Sequence, residues 1–431
     1  MRTSVFRATS AAIAGMLIAT GIMTGAAAAA PVNDPGYRSL PYDTMHIPEA
    51  WTWSTGAAGV TVAVVDTGVT AVRDLDDGRV LPGRDFVDGD GDATDTDGHG
   101  TRAAGLIAAQ ADNGYGIAGV CRSCRILPVR VLRSLGDLQS DGVDADIAAG
   151  IVWAADRGAQ VIAVPVARTT DSAALRSAAA HAAAAGSLVV ASVGDERTGE
   201  RSYPAGIDSV LAVSGVDSRG WWDSGVVGDL DDPWIDVAAV NALHVLPIGT
   251  GIPEIRSASV SAAVVAGVAA LVYALHPDAT AAEVRDALVG TAQRLQPQPH
   301  PPVLHAARAV HRFAPADTVA PTVVATGLAA GQLLGGGRNT LIYPTVTDDH
   351  AVDRIELSVG GRAVSVDRQA PWMLDQPSPP WNFEGDWPVT VHAVDYDGNV
   401  GSSTTVVRVD AVLPEFTDFG WDLVKGGVRV H

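Results

Sequence analysis

The chain has 431 residues, 47% of them hydrophobic and 18% charged, with a formal net charge of −20. That is enough length and apolar content for two or three domains with cores of their own. The acidic balance argues against nucleic acid or an anionic membrane surface as partner, since both select basic patches.

Residues 1–30 read as a signal peptide. Arg2 and Arg7 form a positive start, Ala11 to Met23 an apolar run, and Ala26 to Ala30 a small-residue cleavage region. The apolar run is shorter than the ~20 residues a spanning helix needs. No other stretch reads as long and apolar enough to span, so the mature chain is expected to be secreted and extracellular, with no membrane span. Residues 31–55, punctuated by Pro and Trp, read as an N-terminal arm.

Val60 to Val65 is an apolar, β-branched run that predicts a buried parallel strand. It ends at Asp66-Thr67-Gly68, which puts a carboxylate where open α/β sheets place their sites. An Asp that merely caps the next turn would look the same. The loop that follows carries Asp85, Asp88, Asp90, Asp92, Asp95 and Asp97. It reads as a solvated acidic loop, or as part of a calcium loop that lacks the bidentate Glu of an EF-hand. Gly98-His99-Gly100-Thr101 then leads into an Ala-rich helix over Arg102 to Ala109. Two glycines let the backbone turn and approach a neighbour closely, so His99 sits where loop becomes helix, its ring free to face a cleft.

Cys121 and Cys124 are the two cysteines. In an exported chain such a pair predicts a disulfide. Half a zinc site or a redox motif are the alternatives, but a second ligand pair and a thioredoxin-like context are both missing. Arg125 to Val131, Val161 to Val166, Leu188 to Ala191 and Val210 to Ser214 read as strands. Helices separate them: one capped by Ser140-Asp141 and running to Arg157, another over residues 172–185. This alternation predicts a doubly wound parallel sheet.

Ser259 to Leu275 is a long helix of small and apolar residues. Thr280 and Glu283 form a capping box for the next one. Beyond Ala314 the pattern changes to short alternating strands, among them Arg354 to Val359, Val389 to Val394 and Thr404 to Val409, separated by Gly, Pro and Asp turns. Residues 314–411 therefore read as a linker and a small C-terminal β-sandwich, and residues 412–431 as a tail.

Asp66, His99 and Ser259 are a carboxylate, an imidazole and a hydroxyl, the set that nucleophilic catalysis near neutral pH requires. Their order and the words around them, VAVVDTGV, DGHGTRAAGLIAA, SYPAGIDSVLAVSGVD and SVSAAVVAGVAALV, resemble the subtilisin-like serine proteases, or subtilases, from about Asn33 to Ala309. The resemblance implies a subtilisin-like parallel sheet sandwiched by helices over residues 31–313. It also implies a secreted serine endopeptidase acting on protein or peptide substrates, with Asp66 orienting, His99 as base and Ser259 as nucleophile. No cofactor is required by that chemistry, structural calcium is left open, and the oligomeric state is not indicated. The β-rich tail, with its Asp395-Tyr396-Asp397-Gly398-Asn399 run, resembles bacterial Ig-like modules.

The chain departs from the family's pattern in three places. The family's Gly-Thr-Ser-Met-Ala-x-Pro word is here Ser257-Ala258-Ser259-Val260-Ser261-Ala262-Ala263. Registering on Val265 to Leu271 selects Ser259, with Ser257 and Ser261 as fallback nucleophiles. The family's oxyanion-hole asparagine is replaced by Asp195, and a carboxylate accepts hydrogen bonds where the amide would donate one. Losing such a donor costs roughly 10²–10³ in rate, a magnitude that itself comes from a subtilisin. Pro165 stands in the segment whose backbone pairs with substrate in the family, and it has no N–H to offer. These departures set up the alternative reading, an inactive subtilase-fold module that binds peptides or serves a structural role.

Overall fold

The computed structural model describes residues 32–37, 40–136, 139–195, 200–221, 233–244, 254–295, 301–335, 339–377, 384–410, 412–417, 420–425 and 428–430. The expected signal peptide lies outside the described residues.

Seven strands form one parallel sheet: β1 (Thr61–Asp66), β2 (Arg84–Asp85), β3 (Arg125–Arg130), β4 (Val161–Val164), β5 (Leu188–Ser192), β6 (Leu211–Val216) and β7 (Val237–Val240). Their order is β2-β3-β1-β4-β5-β6-β7. β1 is flanked by β3 on one side and β4 on the other, paired in parallel through Val62↔Ile126 and Val62↔Val161. It is the topological switch point, and open α/β sheets form their clefts at the carboxyl end of such a strand.

Both faces of β1 are buried, which is why its sequence is apolar without a break. Ala63 and Val65 join Ile147, Ile151 and Leu175 on one face. Val62 and Val64 join Leu106, Val264 and Val268 on the other. The first layer is made by α3 (Asp144–Asp156) and α4 (Ala173–Ala184). The second is made by α2 (His99–Ala108), α5 (Ala258–Leu275) and α7 (Ala306–His311). α6 (Ala281–Gly290) starts at the predicted capping box, with Glu283 N–H donating to Thr280 Oγ1 at 3.2 Å and Thr280 N–H to Glu283 Oε2 at 2.8 Å.

Three expectations are corrected. Ser140 and Asp141 do not cap α3; they lie in a short strand, Gln139–Asp141, paired with Arg133–Gly136, and Val143 stands at the helix start. Within the N-terminal arm, Tyr42, Met45, Ile47 and Trp51 are all core residues, Ile47 opening the short α1 (Ile47–Ala50), and the Trp51 indole donates to the Val120 carbonyl at 2.8 Å. α5 is long and apolar enough to cross a membrane, contrary to the reading that no such stretch exists, but it is buried against the sheet and α2. The acidic loop is not simply solvated: Asp85 is buried and pairs with Arg130, and Asp95 caps α2, as described below.

Cys121 and Cys124 form the expected disulfide, fully buried, with Cα atoms 5.5 Å apart. Past α7 the regular elements among the described residues are all strands. β8 (Leu333–Gly335), β9 (Val352–Val359), β10 (Arg362–Asp367), β11 (Gly385–Asp395) and β12 (Val400–Asp410) form a sheet in the order β8-β12-β11-β9-β10. Its own core holds Ile355, Leu357, Val389, Val391 and Val407. This region meets the first through the Trp53–Tyr396 ring contact at 5.2 Å and two ion pairs, Arg308–Asp353 and His311–Asp397, each 2.9 Å.

Candidate active site

Asp66 ends β1 with its side chain fully buried. The Thr67 N–H donates to Asp66 Oδ1 at 2.6 Å, fixing the carboxylate before any other group reaches it. α2 begins at His99, capped by Gly98 at φ 104°, a left-handed conformation open to glycine at little cost. A Cβ on Gly100 would collide with the Gly68 carbonyl and lie 3.1 Å from Asp66 Cβ, so only glycine lets the helix start this close to β1. That close approach explains the two glycines around the histidine.

His99 Nδ1 lies 2.9 and 2.8 Å from the two oxygens of Asp66, and His99 Nε2 lies 3.2 Å from Ser259 Oγ. The carboxylate takes the Nδ1–H, which leaves Nε2 as the acceptor facing the serine hydroxyl. Three residues far apart in the chain thus form one hydrogen-bonded line. Ser261 is not in it, since its hydroxyl is buried and donates to the Ala239 carbonyl at 3.0 Å. Ser257 caps α5 instead of reaching His99: its Oγ accepts the Ser259 N–H at 3.1 Å and lies 2.8 Å from Ser259 Oγ. Asp195 Oδ1 accepts the Ala258 N–H at 2.7 Å.

Burial alone would lower the His99 pKa. The charge and hydrogen bond of Asp66, with the charges of Asp97 and Asp95, outweigh it and push the imidazole up to about 9. Sequence reasoning did not single out Asp95, which is built into this site. Its carboxylate accepts from Gly98 N–H at 2.8 Å, Thr101 N–H at 2.9 Å, Thr101 Oγ1 at 2.6 Å and Thr67 Oγ1 at 2.9 Å. Burial raises its pKa, but these hydrogen bonds win and hold it below the usual carboxylate range. The signal was present as an Asp just before the helix, hidden among five other aspartates of the same loop.

His99, Ser257, Ser259, Asp195 and Pro165 line one open cleft of about 840 Å³. Groups able to hold a cation lie elsewhere among the described residues: Asp317 with Asp349 and His350, and Asp317 with Asp348 and Asp395. Both oxygens of Asp348 are buried without a hydrogen-bond partner, and hard carboxylate donors of this kind suit Ca²⁺ better than a transition metal.

A parallel α/β sheet whose switch-point cleft aligns carboxylate, imidazole and hydroxyl is a geometry found across serine hydrolases. The subtilase family model matches residues 57–302, and the chain belongs to that family. It is 35% identical over 261 residues to the thermophilic serine proteinase of Bacillus sp. (strain AK1), covering 60% of this chain and 63% of that protein's length. It is 34% identical over 267 residues to thermitase of Thermoactinomyces vulgaris, covering 61% of this chain and 92% of thermitase. Among solved structures, a protease of Pseudoalteromonas arctica superposes with a TM-score of 0.59 at 28% identity, over 66% of this chain and 99% of that one.

Proposed function

We propose that the chain is a secreted serine endopeptidase that hydrolyses peptide bonds through Asp66, His99 and Ser259. The observation that carries this reading is the hydrogen-bonded line from Asp66 through His99 to Ser259 Oγ. Ser259 Oγ adds to the scissile carbonyl carbon as its proton passes to His99 Nε2. His99 then protonates the leaving amine, and water repeats the sequence in reverse to free the acyl group. Asp66 stays ionised, holding the tautomer and stabilising the imidazolium. Residues 1–30 act as the export signal, residues 31–313 as the peptidase domain, and residues 314–411 as a linker with an Ig-like module followed by the tail. Where calcium is bound, Asp317, Asp348 and Asp395 would hold it.

A second reading, an inactive peptide-binding or structural module, is favoured by one observation. The amide N–H groups of Ala258 and Ser259 already have acceptors within the chain, and Asp195 offers no donor in place of the missing asparagine. The deciding experiment is hydrolysis of a fluorogenic peptide library by the natural protein, Asp195→Asn and Ser259→Ala. Hydrolysis that disappears in Ser259→Ala supports the peptidase. Folded protein with no hydrolysis by either the natural chain or Asp195→Asn overturns it.

A further inference from the structure

The start of α5 holds more than a nucleophile. Ser259 is the second residue of an 18-residue helix, and the first amides of a helix have no intrahelical partner. They point toward the cleft and favour negative charge. When Ser259 Oγ adds to a carbonyl, the new oxyanion forms beside the Ser259 N–H, the position where a donor speeds acyl transfer most.

That N–H is taken. Ser257 Oγ accepts it at 3.1 Å, while Asp195 Oδ1 accepts Ala258 N–H at 2.7 Å and the Ser257 carbonyl accepts Val260 N–H at 3.1 Å. The same Ser257 hydroxyl lies 2.8 Å from Ser259 Oγ, nearer than His99 Nε2 at 3.2 Å. If Ser259 donates to Ser257, its proton is turned away from the base. If Ser257 donates, a lone pair of the nucleophile is tied up. In either arrangement one side chain blocks both the oxyanion donor and the attacking atom.

We propose that Ser257 is a positioning residue that holds the site in a resting state, its hydroxyl standing where the substrate oxyanion must go, so that turnover requires its side chain to swing off the Ser259 N–H. This rests on the peptidase reading above. The family's word carries glycine at this position, and the hydroxyl is what this chain adds. Ser257 has φ −166°, extended backbone that any residue adopts, so substitutions here are unstrained.

The test is the rate of fluorophosphonate labelling at Ser259. The Ser259 Oγ–phosphorus bond forms, fluoride leaves, and the serine proton departs through His99. Ser257→Gly removes the hydroxyl, and glycine caps helices nearly as well as serine; Ser257→Thr keeps both hydroxyl and cap. Labelling is expected to accelerate about tenfold or more in Ser257→Gly, within the range one oxyanion donor commands. Ser257→Thr should stay near the natural rate, and Ser257→Gly with Ser259→Ala should not label. On peptides, kcat should rise in Ser257→Gly with KM nearly unchanged. An unchanged rate in Ser257→Gly overturns the proposal, and a slower one would make Ser257 an oxyanion donor instead. Labelling of the natural chain without a gain in Ser257→Gly sinks only this role. If Ser259 labels in no variant, the peptidase reading falls with it.

Discussion

Two helices deliver the site, and their starts differ instructively. At α2, the Gly98 and Thr101 amides are bound by the half-buried carboxylate of Asp95, which does not line the cleft. At α5, the amides face the open cleft, yet they too are bound by the chain, through Asp195 and Ser257. The same physics, partial positive charge at a helix N-terminus, is used at α2 to fix His99 in place. At α5 it is already spent when substrate arrives. On the peptidase reading, the His99 side of the site is preorganised, whereas the Ser259 side would have to rearrange before it could stabilise a developing anion.

The largest effect should come from giving α5 a donor. In Asp195→Asn the Oδ1 can still accept Ala258 N–H, and the new NH₂ can face the cleft, so kcat should rise by roughly 10²–10³. Steady-state peptide hydrolysis measures it, and no gain would mean that Asp195 does not face the oxyanion. Breaking α2 should cost stability instead. Asp95→Ala strands several buried donors and should lower unfolding free energy by about 3 kcal/mol in a urea titration, while Asp95→Asn should lose less because one acceptor remains.

Electrostatics sharpens the comparison on the base side. His99 must be neutral to take a proton, and its pKa is raised to about 9. kcat/KM should therefore climb about tenfold per pH unit through neutrality and level off above that value. Asp97→Asn removes one of the raising charges and should shift the limb to lower pH. A limb centred near 6.5, the ordinary histidine value, would show that the surrounding carboxylates exert no net pull.

The smallest effect lies outside the site. His305 is buried and stacked on His46, with ring centroids 4.0 Å apart. Burial first, then the charges of His46 and Arg308, push its pKa far down. The unfolded chain protonates this histidine below about pH 6.5 while the folded one does not, so this contribution to stability is lost as pH falls through that value. His305 also caps α7, accepting Arg308 N–H at 3.4 Å. His305→Asn keeps a capping side chain and removes the titration, and in urea titrations should reduce the acid loss of unfolding free energy by about 1 kcal/mol near pH 5.5.

What could be read from the chain itself was local or periodic. The unbroken apolar runs of β1, β4 and β5 announced strands buried on both faces, because such strands have no polar side to display. The glycines around His99 and the Asp66 strand end marked the cleft, because close backbone approach permits few other residues there. The capping box of α6 was legible because its two partners are three residues apart. The register on Val265 to Leu271 selected Ser259, whose hydroxyl lies 3.2 Å from His99 Nε2. It could not show that Ser257 would bind the amide of Ser259.

The tertiary structure decided everything that depends on direction and distance between separate segments. It made Asp95 a helix cap, when nothing in the loop told it from Asp90 or Asp92. It paired Ser140 and Asp141 in a hairpin, where their side-chain chemistry alone favoured a helix cap. It also buried the N-terminal arm and set Trp53 against Tyr396, joining the first and last parts of the chain. Composition and periodicity determine which faces must leave water, since that depends on each residue and its near neighbours. Which polar group meets which amide depends on where the sheet order places distant strand ends, and that is fixed only when the whole core packs.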